Sequence, residues 1–384
     1  MELVEPAYGR RSLADVVPAV ARALGAPVGT VPSRPSRPSR PSRPSGLELP
    51  DAASYVVFLV DGLGARLLER HAHAAPYLSA LLASSGGPGT AGVPSTTATS
   101  LTSLGTGLAP GAHGLVGFTA RVPGTDRLLN HLFWDADVDP LEWQPHPTAF
   151  ATLAAAGVSV TVVNKREFRG SGLTVASSRG GEFVGADKVG ERIAAAVAAA
   201  AVRPSFTYLY DSDLDWTGHR WGVASSQWLQ QLAMVDAEAE QLREALPAST
   251  RLVVVADHGM VDCPDDSRVD IDEHTELLDG VALLGGEARF RHLYCRSGAV
   301  DDVLAAWTSF LGDRALVLSR DDACRRGWFG PVDAAVLPRL GDVVVACRGD
   351  LGVFSTERFA YEKSLVGLHG SLTADEMLIP VLVG

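Results

Sequence analysis

Six aspartate and histidine side chains lie directly after, or close to, apolar segments of the chain, where buried strands would end. These residues are Asp61, Asp215, His219, Asp257, His258 and His369. Carboxylate oxygens and neutral imidazole nitrogens are the ligands that hold zinc and similar divalent ions. Two ions about 3.5–4 Å apart can clamp the attacking and the leaving oxygen of a phosphoryl displacement. The residue types therefore predict a two-metal hydrolytic centre.

Each of these residues alone has a simpler structural explanation. Asp61 could cap a helix, Asp257-His258-Gly259 could form a turn, and an isolated His369 could be a structural residue. The spacing of Asp215 and His219 suits two ligands on one turn of helix. Only the joint placement after successive apolar runs favours the metal-site interpretation.

A hydroxyl-rich segment, residues 92–103, could supply a nucleophile. Residues 101–104 resemble part of a helix, so Thr97 is expected near a helix N-terminus, where unpaired N–H groups and a positive dipole end suit a phosphate. A hydroxyl is a poor nucleophile unless a metal or a base lowers its pKa. Ser95 or Thr96 is expected to cap the helix, and Thr96 stays open as the alternative nucleophile.

Apolar runs that alternate with helical stretches organise these residues. The runs that predict buried strands are 55–60, 158–163, 206–210, 252–256 and 343–346. The helix candidates are 63–71, 76–84, 186–201 and 224–246. This alternation predicts an α/β fold, with a mostly parallel central sheet, helices on both faces and ligands beyond the carboxyl ends of the strands. The less regular segments 118–147 and 262–350 are expected to be insertions that form a smaller accessory region.

A strict Ser-Arg-Pro repeat occupies residues 33–45. Proline at every third position blocks both helix and sheet ladder, so an extended or disordered linker is expected over 33–46. This linker would separate a helical segment at 1–32 from a catalytic domain at 47–384. We interpret the repeat as a tolerated linker expansion, and contact with an acidic partner is the alternative.

The composition is that of an ordinary globular protein, with 384 residues, 46% of them hydrophobic, and a net charge of −12. Such an acidic chain is a poor partner for nucleic acid or an anionic membrane. No apolar run reaches about 18 residues, so no membrane span is predicted. The acidic start is unlike a secretory signal, and the four scattered cysteines indicate reduced thiols in a cytoplasmic protein. Abundant arginine and alanine suggest a bacterial source.

The motifs together resemble the alkaline phosphatase superfamily, and within it the nucleotide pyrophosphatase/phosphodiesterase branch. The resemblance spans most of residues 55–384 in the family's order of motifs. It is carried by Asp61-Gly62, Thr97, the segment 106–114, Asp215-Trp216-Thr217-Gly218-His219, Asp257-His258-Gly259-Met260 and His369-Gly370. His113, within the segment 106–114, is interpreted as structural rather than catalytic.

The resemblance implies two metal sites, with zinc as the expected ion and manganese or iron as alternatives. One set comprises Asp215, His219 and His369, and the other comprises Asp61, Asp257 and His258 with Thr97 bound to the same ion. The implied reaction has two displacements. Thr97 attacks phosphorus to give a covalent phosphothreonine, which metal-bound water then hydrolyses.

One departure from the family concerns the third residue after the nucleophile. The family commonly continues with a Phe-Pro-Asn type of sequence, whose asparagine contacts a phosphate oxygen, whereas Ser100 stands in that place here. Since a serine hydroxyl reaches less far, the preference for diesters is left open. A sulfatase is disfavoured, because no C/S-x-P-x-R signature occupies the nucleophile position.

The leading hypothesis is therefore a metal-dependent phosphodiesterase or pyrophosphatase that acts on nucleotides or related small phosphate esters. A phosphomonoesterase or a phosphonate hydrolase of the same superfamily is the first alternative. A non-catalytic metal- or phosphate-binding protein is the second. The aromatic candidates for contact with a base or aryl group are Phe118, Phe133, Trp134 and Trp216. The oligomeric state is left open.

Overall fold

A computed structural model of the chain describes residues 3–26 and 46–384. The Ser-Arg-Pro repeat at 33–45 lies outside the described residues, so its expected extended conformation stays a prediction. All four cysteines are described and unpaired. In the same ranges, no helix combines the length and the apolar character that crossing a bilayer requires.

Strands and α-helices alternate along the described residues. The strands are β1 Ser54–Val60, β2 Gly89–Thr90, β3 Thr119–Arg121, β4 Leu128–Asn130, β5 Ser159–Asn164, β6 Glu182–Gly185, β7 Ser205–Asp211, β8 Thr250–Val255, β9 Val261–Asp262, β10 Arg268–Asp270, β11 Val281–Glu287, β12 Phe290–Cys295, β13 Ala315–Ser319, β14 Val343–Cys347, β15 Gly352–Phe354, β16 Gly367–Leu368, β17 Leu378–Ile379 and β18 Val381–Val383. The α-helices are α1 Val16–Ala23, α2 Ala65–Arg70, α3 Pro76–Ser84, α4 Thr97–Thr106, α5 Pro110–His113, α6 Pro140–Trp143, α7 Ala149–Ala155, α8 Gly172–Ser178, α9 Val189–Ala200, α10 Asp213–Trp221, α11 Ser226–Ala245, α12 Val300–Leu311, α13 Arg320–Arg325 and α14 Ala374–Met377.

The central sheet has six strands in the order β18-β8-β1-β7-β5-β6. All neighbours run parallel except β18, which pairs antiparallel with β8. Every residue of β1 and β7 is buried, as expected for strands that are covered on both faces. The predicted α/β fold with a mostly parallel central sheet is confirmed, and the first four predicted strands all lie in this sheet.

The four helix candidates are also helices in the structure, as α2, α3, α9 and α11. Local signals explain where they begin. Pro76 stands in the first turn of α3, where its missing N–H costs nothing. The Ser225 hydroxyl accepts a hydrogen bond from Trp228 N and caps α11.

A second sheet, in the order β11-β12-β14-β13, is antiparallel throughout. The fifth predicted strand is β14, so it belongs to this sheet and not to the central one. Its side chains alternate between two cores, since Val343 and Val345 pack with Trp307 of α12 whereas Val344 and Ala346 join the main core. The second sheet is therefore covered on one face by α12 and on the other by the main body.

The N-terminal helix α1 packs into the same core as the central sheet. Val16, Val17 and Val20 are fully buried there. Gly107 ends α4 with a positive φ and lies close to Pro18, so α1 rests against α4. The segment that the sequence sets apart as helical thus supports the helix that begins at Thr97, while the boundary at residue 32 stays a prediction.

Candidate active site

The carboxyl ends of β7, β1 and β8 meet at one edge of the central sheet. Val60 pairs with Asp211, and Asp61 N donates to Asp211 O at 2.9 Å. Gly62 N donates to Asp257 Oδ1 at 3.1 Å. Gly62 has φ +76°, and a Cβ there would lie 3.1 Å from the Cα of Asp215. A glycine at this turn lets the ends of all three strands approach closely.

One group of candidate ligands consists of Asp61, Asp257 and His258, whose donor atoms lie within 4.8 Å of one another. His258 Nε2 is 3.4 Å from Asp61 Oδ1 and 3.3 Å from Asp257 Oδ2. The Thr97 hydroxyl lies 3.2 Å from the same Nε2 atom. All three candidate side chains are buried, so this half of the site is shielded from water.

The second group consists of Asp215, His219 and His369. His219 Nε2 is 3.3 Å from Asp215 Oδ2 and 3.2 Å from His369 Nε2, which is itself 3.8 Å from Asp215 Oδ1. The His369 ring stacks on His258, with 3.6 Å between ring centroids. The two groups therefore adjoin, and His258 also lies within 4.8 Å of Asp215 and His369.

The three histidines share one orientation. In each of them Nδ1 faces a backbone carbonyl, and the pairs are His219 with Gly367 at 2.7 Å, His258 with Gly259 at 3.0 Å and His369 with Ser95 at 3.0 Å. A carbonyl oxygen can only accept, so Nδ1 carries the proton and Nε2 presents its lone pair. Metal-binding histidines have this arrangement, with the second ring nitrogen held by a carbonyl or carboxylate.

Three carboxylate oxygens converge on the same space without a hydrogen-bond partner among the described residues: Asp61 Oδ1, Asp215 Oδ1 and Asp257 Oδ2. The pKa of Asp61 is raised well above its usual range, mainly because the side chain is buried and secondly because the Asp257 and Asp215 carboxylates lie nearby. Facing lone pairs and unpaired buried carboxylates are costly unless a cation lies between them. The donor set therefore fits divalent cations.

Thr97 is the first residue of α4, and Thr96 is its N-cap. Thr97 is 8% exposed and its hydroxyl lies 3.2 Å from His258 Nε2, whereas Thr96 is 2% exposed and makes no hydrogen bond to a candidate ligand among the described residues. Only Thr97 thus directs its hydroxyl towards the candidate ligands. Ser100 lies one turn further along α4, fully buried and with no partner for its hydroxyl among the described residues. Its role as a phosphate contact stays a prediction.

Residues 55–372 match the model of one protein family, described as type I phosphodiesterase / nucleotide pyrophosphatase. The chain belongs to this family. It is thus a member of a family of phosphoester hydrolases within the alkaline phosphatase superfamily, as the motifs suggested. A search of curated protein sequences finds no match to the chain.

Several solved structures resemble the fold of this phosphodiesterase-family chain. Murine ectonucleotide pyrophosphatase/phosphodiesterase 5 is 17% identical, with a TM-score of 0.67, and the match covers 86% of this chain and 87% of that one. Phosphonoacetate hydrolase from Sinorhizobium meliloti, in complex with phosphonoformate, is 20% identical, with a TM-score of 0.66 and coverage of 88% and 91%. At these identities the likeness shows the fold.

The structure also describes the other residues that the sequence of this phosphodiesterase-family chain singles out. His113 Nε2 lies 2.9 Å from the Ser103 hydroxyl, and burial lowers the pKa of His113 to about 3, in agreement with a structural role. Trp216 is 60% exposed on α10, beside the candidate ligand Asp215, and Phe133 is 83% exposed. Phe118 and Trp134 are partly buried. The position of none of these four aromatic residues is enough to assign it a contact with a base or aryl group of a substrate.

Sequence reasoning missed four polar residues that support the site. The Tyr210 hydroxyl donates to Asp61 Oδ2. The other three, Glu287, Arg289 and Glu376, are buried and connect the second sheet to the segments around Thr97 and His369. Tyr210 belongs to the apolar run 206–210, which predicts a buried strand, and the others lie in segments without a regular pattern. No signal in the sequence alone distinguishes them.

Proposed function

We propose that the chain hydrolyses phosphate diesters or pyrophosphates, with Thr97 as the nucleophile and two divalent metal ions as cofactors. The observation that carries the proposal is the convergence of three unpaired carboxylate oxygens, three imidazole Nε2 atoms and the Thr97 hydroxyl on one space. A binding protein without catalytic activity would need the cations but would have no use for the hydroxyl beside them.

The ligands divide into two sets. Asp215, His219 and His369 would hold one ion, and Asp61, Asp257 and His258 would hold the other. Mixed carboxylate and imidazole donors favour zinc, with manganese or iron as alternatives. When bound, such ions neutralise phosphoryl oxygens and lower the pKa of a coordinated hydroxyl or water.

The protein's own residues would then perform two displacements. Thr97 Oγ1 would release its proton to solvent and attack phosphorus, and the bond from phosphorus to the leaving oxygen would break, so that this oxygen departs with the electron pair and takes up a proton from solvent. Water next displaces Thr97 from phosphorus and restores the hydroxyl. Since α4 begins at Thr97, its unpaired N–H groups and positive dipole end would stabilise the phosphoryl group in both steps.

A nucleotide is the substrate class that we favour, because of the family and one related structure. An inactive variant of the murine protein, in which a threonine is replaced by alanine, was solved in complex with AMP. Phosphonate hydrolysis is the second candidate, since the Sinorhizobium meliloti structure of similar fold holds phosphonoformate. The cytoplasmic location expected from the sequence is retained as part of the proposal.

The test measures metal content and hydrolysis of bis-p-nitrophenyl phosphate, p-nitrophenyl phosphate and phosphonoacetate, before chelation, after it and after zinc is restored. We expect bound zinc, faster cleavage of the diester and loss of activity on chelation. A preference for the monoester or the phosphonate would overturn the diester part. A protein that holds zinc and cleaves none of the three would be a binding protein.

The nucleophile is tested separately by Thr97→Ala, which is expected to lower kcat by roughly 10³-fold or more. Thr102→Ala removes another buried hydroxyl from α4, one that bonds only to Ala98 O, and is the matched control with activity near that of the wild type. If Thr97→Ala retained full activity, a lost activity in Thr96→Ala would identify Thr96 as the nucleophile.

A further inference from the structure

The turn between β11 and β12 reaches from the second sheet to the segment that carries Thr97. Glu287, the last residue of β11, is 8% exposed. Its Oε2 accepts a hydrogen bond of 2.6 Å from Phe118 N, and the Thr96 side chain lies near enough to lower the pKa of this carboxyl in part. Thr96 directly precedes Thr97, the proposed nucleophile, so Glu287 lies close to the nucleophile's segment in the fold.

The same carboxyl group packs against the segment that carries the last candidate ligand. Gly370 follows His369 and has φ +130°, and a Cβ there would lie 2.7 Å from Glu287 Cγ and 3.0 Å from its Oε1. Ser95 N donates to Gly370 O at 3.0 Å. Glu287 therefore lies where the segment of Thr97 and the segment of His369 pair with each other.

Glu287 has no ion-pair partner within 4.0 Å among the described residues, and its Oε1 has no hydrogen-bond partner there. Arg291, the cation that lowers its pKa in part, is itself paired with Glu362. Burial raises the pKa of Glu287 to about 8, although the hydrogen bond from Phe118 lowers it in part. An apolar side chain would fill this place at lower cost, because a buried carboxyl with an unpaired oxygen destabilises the fold.

We propose that Glu287 is a positioning residue for the nucleophile, through its hydrogen bond from Phe118 and its packing against Gly370, whose carbonyl oxygen accepts a hydrogen bond from Ser95 N. The carboxyl group holds the N-cap of α4 at a fixed distance from the segment of His369, which keeps Thr97 Oγ1 aligned with the ligand groups. This inference rests on the proposed function for the role of Thr97. A misplacement of about 1 Å at a nucleophile can cost about 10²-fold in rate.

The test compares Glu287→Asp and Glu287→Gln in the zinc-loaded full chain, with bis-p-nitrophenyl phosphate as substrate. Aspartate is one methylene shorter and cannot contact Phe118 N and Gly370 at the same time. We therefore expect kcat to fall about 10- to 100-fold, with KM and zinc content unchanged. Glutamine keeps the length and the acceptor for Phe118 N, so we expect kcat within about threefold of wild type. Val345→Ala, on the opposite face of the second sheet, controls for a general loss of packing.

Amide hydrogen exchange gives a second readout that does not depend on turnover. In Glu287→Asp, exchange should become at least about tenfold faster in residues 95–101, and the Val345→Ala variant should not show this change. Wild-type kcat and unchanged exchange in Glu287→Asp would overturn the inference. So would an equal loss of kcat in Glu287→Gln, or in Val345→Ala. If the wild type were inactive, the proposed function would fail, and the exchange data would still decide whether Glu287 holds this segment.

Discussion

The buried ion pair between Arg289 and Glu376 gives the sharpest test of how the second sheet is joined to the site. Arg289 Nη2 and Nε donate to the two carboxylate oxygens of Glu376 at 2.6 and 3.0 Å, and both side chains are fully buried. Glu376 also accepts hydrogen bonds from Ser371 N and the Thr373 hydroxyl. Its carbonyl accepts from Gly259 N at 2.8 Å. One ion pair thus joins the turn of the second sheet to the segments that carry His258 and His369.

Arg289→Met keeps most of the apolar stem and removes the positive charge. Glu376 would then be a buried carboxylate without a cation, which costs about 3–5 kcal/mol when one partner of such a pair is removed. Since the free energy of unfolding of a folded protein is typically about 5–15 kcal/mol, this change would remove roughly a fifth or more of the stability. Arg66→Met is the matched control. It breaks an exposed pair with Glu69, 52% and 48% exposed, and should cost only about 0–1 kcal/mol.

Urea unfolding, followed by tryptophan fluorescence with zinc present and after chelation, measures both changes. Arg289→Met should lower the free energy of unfolding by at least about 3 kcal/mol in both conditions, because the ion pair does not involve the ligands. The zinc affinity should fall as well, since the segment of His369 loses its support. A loss no larger than that of Arg66→Met would refute the reasoning, because it would show that Glu376 is satisfied without Arg289.

Two further predictions concern metal content and pH. His219→Ala should reduce bound zinc by about one equivalent, whereas His113→Ala, a histidine remote from the ligands, should leave zinc content unchanged in the same mass-spectrometric assay. Burial raises the pKa of Glu287 from 4.5 to about 8, so the folded state keeps a proton that the unfolded state loses. The free energy of unfolding of the wild type should therefore fall by about 3 kcal/mol between pH 5 and 8, and that of Glu287→Gln should not show this fall. Urea unfolding at several pH values measures both proteins. The same pH dependence in both would contradict the prediction.

The central sheet could be predicted from the sequence because its strands are covered on both faces. Such strands are uninterrupted apolar runs, as at 55–60 and 252–256. The second sheet gave no such signal in β11 and β12. Gly285, Gly286 and Arg291 interrupt the apolar pattern, and Arg291 is buried only because Glu362 neutralises it. Burial that depends on an ion pair with a distant residue leaves no periodicity to detect.

The candidate ligands could be predicted because each follows, or lies close to, a run that already indicates a strand. Parallel strands bring their carboxyl ends to one edge, so position in the chain determines position in the site for Asp61, Asp215 and Asp257. The supporting residues follow no such rule. Glu287 packs against Gly370 across the boundary of the two sheets, and Tyr210 contacts Asp61 from within a strand. Their roles depend on contacts between distant segments, which a single sequence does not contain.

The segments that carry the proposed nucleophile and the last candidate ligand are hydrogen-bonded to each other. Ser95 N donates to Gly370 O, and His369 Nδ1 donates to Ser95 O, so the segments of Thr97 and His369 are bonded in both directions. A cation that draws His369 Nε2 towards the carboxylates would therefore also order the start of α4. Metal binding and alignment of the nucleophile should thus be coupled through Ser95, and residues 95–101 should gain protection from hydrogen exchange when zinc is restored to the chelated protein.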